Sequence, residues 1–301
     1  MAKLLPGKPV AEALNAKARE EIARLQARGV APKLAIVRCG EDASQLAYEK
    51  GAVARAEAVG VAVARVALPE DVRAEALIET IRQINGDNGI HGDNGIHGAL
   101  LLRPLPKHLR AREREICDAL DPVKDVDGMT TLSCAGVFEG LDGMGYPPCT
   151  PRACIELLDH YGVDPKGKSA VVIGRSLVVG RPVAMMLLAR HATVTVCHTK
   201  TPDVAEVTRR ADIVVSAAGA LGSLTAAHVR PGQVIVDVSV NWDPAKPNAK
   251  GGMGALSGDA AFDEVSRVVD AITPVPGGVG AVTTSVLMRH VVQAAARQSE
   301  S

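Results

Sequence analysis

The chain has 301 residues, enough for about two domains at roughly 150 residues each. It is 47% hydrophobic with only 2% aromatics, so its cores must be aliphatic, and 34 basic residues balance 34 acidic ones. Zero net charge argues against a nucleic-acid binder built on phosphate contacts, no apolar run approaches membrane length, and the opening MAKLLPGKPVAEAL lacks a signal-peptide core; a cytoplasmic protein with no nucleic-acid or membrane partner is expected.

Residues 7–28 read as a helix, with Val10, Leu14, Ala18, Ile22 and Leu25 on one face. Strands are expected over 33–37, 61–68 and 99–102, and helices over 44–59, 72–84 and 107–120, which makes a first βαβαβα unit. Between them GDNGIH occurs twice in tandem, at 86–91 and 92–97. Two Asn-Gly pairs favour turns, so a lengthened surface loop is preferred over a ligand pair made by His91 and His97. Residues 121–150 show little regular pattern, and a long irregular segment in a compact chain is usually functional or disordered. A helix over 151–161 follows. The six cysteines are scattered, with no C-x-x-C, and read as buried thiols; Cys149, Cys154 and His160 are too few for a metal site, and no metal is expected.

The stretch 170–182, AVVIGRSLVVGRP, organises the second half. A β-branched run ends at Gly174, a second glycine follows at Gly180, and Pro182 suits a helix's first turn. A strand, a glycine turn and a helix form a phosphate site, because free N–H groups at the helix start face an anion. The spacing is not G-x-G-x-x-G, and the turn alone is a weak signal. It gains weight from further strands at 192–197, 212–216 and 233–238, each a helix-sized gap apart, which imply a parallel sheet that binds a dinucleotide at the turn after its first strand. An NAD site usually places Asp or Glu at the end of the second strand; here 197–201 is CHTKT, and with Arg175 this suits a 2′-phosphate, so NADP is favoured over NAD. Glycine-rich 251–258, the loop 272–280 (ITPVPGGVG) and a closing helix over 285–297 complete the chain.

Five pieces in order, 122–128 (PVKDVDG), 148–151 (PCTP), the 174–182 turn, Cys197-His198 and 272–280, resemble the bifunctional methylenetetrahydrofolate dehydrogenase/methenyltetrahydrofolate cyclohydrolase family nearly end to end. The resemblance implies an α/β fold of two α/β domains with a cleft between: an N-terminal folate-binding domain, 1–148 with 276–301, and a Rossmann-type NADP domain, 149–275. It implies a homodimer that oxidises 5,10-methylenetetrahydrofolate with NADP and hydrolyses the methenyl product to 10-formyltetrahydrofolate. By the same resemblance Tyr48 and Asp127 are the catalytic candidates. Tyr48, Asp125, Asp127, Pro276, Gly277 and Gly280 bind tetrahydrofolate derivatives, and Gly174, Arg175, Ser176, Gly180, Thr199 and Val240 bind NADP. A carboxylate suits the guanidine-like edge of a pterin, and hydride transfer needs orientation more than acid or base. Taken without the resemblance, Asp125 and Asp127 read as turn caps and Tyr48 as filling a helix face.

Two positions depart from the family. Many members carry lysine four residues after the tyrosine, one helical turn on; here Ala52 stands there, and Lys50 lies roughly 200° round the helix from Tyr48. The common V-Q-L-P-L-P is LLRPLP at 101–106, so Leu102 replaces the glutamine and Arg103 follows it. Hydrolysis is therefore expected to be weak or to use another group. Arg103 is at hand, and it acts only electrostatically because arginine stays protonated. The alternatives are a dehydrogenase that has lost the hydrolytic step, a folate- or nucleotide-binding protein without catalysis, and a Rossmann dehydrogenase of another small acid.

Overall fold

A computed structural model of the chain describes residues 1–87, 95–141, 143–248 and 252–300. Two compact units emerge, one made of Met1–Ala11 with Thr150–Thr283, the other of Glu12–Cys149 with the residues from Thr284 onward. The chain opens with a two-residue strand, β1 (Lys3–Leu4), and α1 (Gly7–Ala27). The helix buries the expected face, Val10, Leu14, Ala18, Ile22 and Leu25. Next come β2 (Lys33–Cys39), α2 (Ala43–Val59), β3 (Ala62–Leu68), α3 (Ala74–Gly86) and β4 (Gly98–Leu101). The three strands form a parallel sheet in the order β3-β2-β4. Central β2 is buried from Leu34 to Val37, while edge β3 is largely open. Ala35, Val37, Leu77, Ile81, Leu101, Leu105 and Ile116 share one aliphatic core.

The helix expected over 107–120 is two pieces, a 3₁₀ helix (Lys107–Arg112) and α4 (Glu113–Asp118). The segment expected to be irregular holds α5 (Thr131–Glu139), capped when the Thr130 hydroxyl accepts the Ser133 N–H and closed by left-handed Gly140. Helix α6 (Cys149–His160) starts two residues before its expected position.

The other unit continues with β5 (Ser169–Ile173), α7 (Gly180–Ala189), β6 (Thr193–Cys197), α8 (Val204–Arg209), β7 (Ile213–Ser216) and β8 (Val234–Asp237). The antiparallel hairpin of β9 (Asn241–Pro247) and β10 (Met253–Ser257) leads to α9 (Phe262–Val265), β11 (Ala271–Ile272) and α10 (Gly280–Glu300). The parallel sheet runs β1-β11-β8-β7-β5-β6. The opening residues thus join this sheet through β1, although they were expected in the folate-binding domain. Strand β5 lies between β6 and β7, so the chain reverses direction across the sheet at β5, and its carboxyl end is the switch point where such sheets bind ligands.

Most of the GDNGIH tandem, His91 included, lies outside the described residues. His97 is buried, and its Nδ1 accepts the Lys33 N–H at 3.2 Å, so it is a core histidine. Among the described residues no helix is long and apolar enough to cross a membrane, and no three His, Cys, Asp or Glu side chains gather to hold a metal.

Candidate active site

The segment 122–128 lies against β4, where the Ala99 N–H donates to the Lys124 carbonyl at 2.7 Å. Two of its three charged side chains, those of Lys124 and Asp125, are engaged in the fold. Buried Lys124 donates from Nζ to the carbonyls of Ile84 and Asp87, both at 2.9 Å, which closes the end of α3. Val126 is buried against Gly98, and its carbonyl accepts from His290 Nδ1 at 2.9 Å. The fully buried Asp125 carboxylate accepts from Met129 N (2.9 Å), Thr130 N (2.8 Å), Thr130 Oγ1 (2.7 Å) and Ser133 Oγ (2.6 Å). Three of these bonds meet Oδ2 and one meets Oδ1, and the side chain is fully buried, so in place of the substrate contact expected of it Asp125 holds the start of α5.

Asp127 is the exception. Its side chain keeps 19% of its exposure, and its only ion pair among the described residues is with Arg103, Nη2 to Oδ2 at 3.7 Å. Burial pushes its carboxyl up to about 6; Arg103 and the thiol and N–H of Cys149 pull it down, and Asp125 adds to the rise. Tyr48 projects from α2 into the same field. Burial, then Asp127 and Cys149, drive its phenol well above the ordinary value, so it remains a proton donor at working pH. Tyr48, Asp127, Arg103 and Cys149 thus act on one another in one unit, the last two not being among the site residues read from the sequence.

The departures from the family pattern have clear positions. Ala52 is fully buried and Leu102 nearly so, while Lys50 is exposed on another face of α2. Arg103 is flanked by two carboxylates, Asp127 on one side and Glu113 Oε1 at 3.8 Å on the other.

At the other unit's switch point, Gly174 has φ +119°, and a Cβ there would collide with the Ala217 carbonyl. A Cβ on Gly180 would strike the Gly174 carbonyl, so both positions require glycine to bring strand, turn and helix this close. The Ser176 hydroxyl accepts from Val179 N (3.1 Å) and Gly180 N (3.3 Å), which closes the turn into α7 and leaves its own proton to donate. Arg175 and Ser176 are exposed, and among the described residues no protein acceptor meets the N–H groups of Leu177 and Val178. Ile173 and Cys197 are register partners, so Arg175 and Thr199, each two residues beyond, leave adjacent strands at the same edge. Both are exposed, as is Lys200. A small backbone cradle with free N–H groups and two flanking cations fits a phosphorylated dinucleotide.

Val240 is 57% exposed just past β8. Its loop is fixed by a residue that sequence reading passed over, Asp259. This fully buried carboxylate accepts from Ala218 N (2.7 Å), Gly219 N (3.3 Å), Ala220 N (2.8 Å), Ser216 Oγ (3.1 Å), Ser239 Oγ (2.8 Å) and Asn241 Nδ2 (3.1 Å). It ties the loops after β7 and β8 together. It directly follows the glycine-rich stretch 251–258, which by itself does not single it out. Pro276 and Gly277 belong to the same unit, where the Gly277 carbonyl accepts the Gly7 N–H at 2.7 Å, and Gly280 opens α10.

Two family models match the chain: Tetrahydrofolate dehydrogenase/cyclohydrolase, catalytic domain, over residues 5–127, and Tetrahydrofolate dehydrogenase/cyclohydrolase, NAD(P)-binding domain, over residues 148–299. The chain is 44% identical over 294 residues to the bifunctional protein FolD of Carboxydothermus hydrogenoformans, covering 98% of this chain and 97% of that protein. It is 41% identical over 297 residues to the bifunctional protein FolD of Clostridioides difficile, covering 99% and 98%. Among solved structures it is similar to the Trypanosoma brucei N5,N10-methylenetetrahydrofolate dehydrogenase-cyclohydrolase (FolD) complexed with NADP cofactor and inhibitor, with a TM-score of 0.90 at 33% identity over 100% of this chain and 99% of that one.

Proposed function

This chain belongs to the tetrahydrofolate dehydrogenase/cyclohydrolase family and is an NADP-dependent methylenetetrahydrofolate dehydrogenase with cyclohydrolase activity in one-carbon metabolism, and we propose how its residues divide that work. The unit carrying Tyr48 and Asp127 takes the folate, and the unit carrying Gly174 takes NADP. The observation that carries the assignment is Asp127: in a segment whose other polar side chains are buried and tied into the fold, this carboxylate meets Arg103 at 3.7 Å and Cys149 and still keeps 19% of its exposure. It accepts the paired N–H donors of the pterin, as a carboxylate accepts a guanidinium. The Tyr48 phenol, held protonated, packs beside the bound ring and donates to it.

Bound NADP⁺ supplies the hydride acceptor. Arg175 and Thr199 select its 2′-phosphate, Gly174, Ser176 and Gly180 form the cradle for its pyrophosphate, and Val240 presents an apolar side chain to its nicotinamide. Since loss of hydride from the methylene carbon requires no proton transfer, the chain contributes orientation. The methenyl product is already a cation, so water attacks it with less help from a base than a neutral carbon would need. Asp127 and Tyr48 hold it for that attack in a chain whose lysine position is Ala52. Full-length identity to proteins named bifunctional favours both activities over a dehydrogenase-only or binding-only chain.

We further infer a homodimer. Trp242 and Met253, each 64% exposed, and Leu256, 44% exposed, leave an apolar surface on the β9–β10 hairpin that a second copy would cover.

The test is one spectrophotometric assay of purified protein with methylenetetrahydrofolate and NADP⁺ or NAD⁺, and with methenyltetrahydrofolate alone. NADPH formation exceeding NADH formation, with methenyl loss faster than in buffer, is expected. No reduced nucleotide with either cofactor would overturn the assignment.

A further inference from the structure

We propose that Arg103 is a positioning residue of the folate site: its guanidinium keeps Asp127 ionised and aimed at the substrate, and Glu113 on its far side tunes how strongly it does so. The inference rests on the folate reading above. Its basis is a three-residue charge relay in one unit, Asp127–Arg103–Glu113, with separations of 3.7 and 3.8 Å. Both are ion-pair distances, longer than a hydrogen bond, so the guanidinium is shared between two carboxylates and saturates neither. Arg103 and Asp127 are each about one-fifth exposed, 21% and 19%, which is enough shielding for the charge on one to govern the other. The neighbouring positions leave no substitute, because Ala52 and Leu102 are apolar and buried.

A carboxylate must be ionised to accept two N–H donors at once. Burial works against this at Asp127, and Arg103 is the largest influence in the opposite direction. The other groups facing Asp127 are Tyr48 from α2, Cys149 from the start of α6 and Asp125 from its own segment; facing Arg103 are Glu113 and Cys117 from α4. Two further groups lie close by, His290 from α10, whose Nδ1 is 3.8 Å from the Cys149 thiol, and Arg114 from α4 beside Cys117; among the described residues Arg103 is the cation that pairs with Asp127. Removing Arg103 therefore raises the pH at which Asp127 becomes competent, and removing Glu113 lowers it, because the guanidinium then has one carboxylate to serve.

The experiment is the pH profile of kcat/KM for methylenetetrahydrofolate at saturating NADP⁺, for the wild type, Arg103→Gln, Arg103→Lys and Glu113→Gln. The wild type is expected to lose activity on the acid side near pH 6. In Arg103→Gln that limb moves up by about one pH unit, so kcat/KM at the acid end falls about tenfold, chiefly through KM. Arg103→Lys restores most of the loss, Glu113→Gln moves the limb down, and the KM for NADP⁺ stays unchanged in all three. An acid limb that stays at the wild-type pH in Arg103→Gln, or that moves up in Glu113→Gln, would overturn the proposal. If Arg103→Gln does not fold, the opposite shift in Glu113→Gln decides it alone. Failure of the wild type to turn over the folate at all would strike the folate reading instead, so the two failures are distinct.

Discussion

Asp127 sits under two opposed demands. Function needs it charged, whereas burial in its own unit favours the neutral form and pushes its carboxyl from an ordinary 3.8 to about 6. Between those two pH values the folded chain keeps a proton that the unfolded chain has released. Stability from this group is therefore present at low pH and is lost as pH rises through the window from about 4 to about 6. Asp127→Asn removes that loss. It is expected to be more stable than the wild type at pH 7.5 by about 1–3 kcal/mol, with the difference fading below pH 4. Thermal unfolding at both pH values checks this, and a difference of equal size at the two would contradict it. Single residues were unevenly legible in the sequence. The PVKDVDG motif pointed to both aspartates without separating them. Only the four hydrogen bonds on Asp125 show that it holds α5, whereas Asp127 stays partly exposed beside Arg103 and Cys149. Asp259 was hard to find because its six partners come from two stretches distant in sequence, 216–220 and 239–241, and nothing local marks such convergence.

At the scale of elements, the turn from β5 to α7 is where local sequence and tertiary need agree most closely. Gly174 combines φ +119° with contact against Ala217, so Gly174→Ala brings both backbone strain and a collision. It should destabilise the chain by about 2–4 kcal/mol and raise the KM for NADP⁺ about tenfold or more, read by thermal melts and cofactor titration. A variant with wild-type stability and affinity would mean that the cradle lies elsewhere. The βα alternation was readable because buried parallel strands form β-branched runs bounded by glycine. What escaped was short or lacked a period. β1 and β11 are two residues each and exist only because they pair with one another and with β8. The sequence of α5, TLSCAGVFE, has no apolar stripe, and its helix is set by the Thr130 cap and by Asp125. The helix expected over 107–120 changes type at Arg112, the last residue of the 3₁₀ helix and the N-cap of α4, whose φ of −110° and ψ of 11° depart from the α-helix.

For the whole molecule, the chain presents an enzyme with two stations, each built on its own parallel sheet. The apolar face of the β9–β10 hairpin, with Trp242 and Met253 each 64% exposed, is a surface that a second copy would cover. Trp242→Glu places a charge there and should convert a dimer to a monomer by light scattering without disturbing NADP⁺ binding. A wild type that is monomeric, or a variant that stays dimeric, would exclude this face. The central claim is that Asp127 makes this chain a folate enzyme, and the most direct measurement is the initial rate of NADPH formation at 340 nm from methylenetetrahydrofolate, wild type beside Asp127→Asn. The account predicts turnover by the wild type and loss of at least about a hundredfold in kcat/KM in a variant that is still folded and still binds NADP⁺, in keeping with removal of a charge-assisted bidentate contact. Equal rates for the two proteins would contradict it.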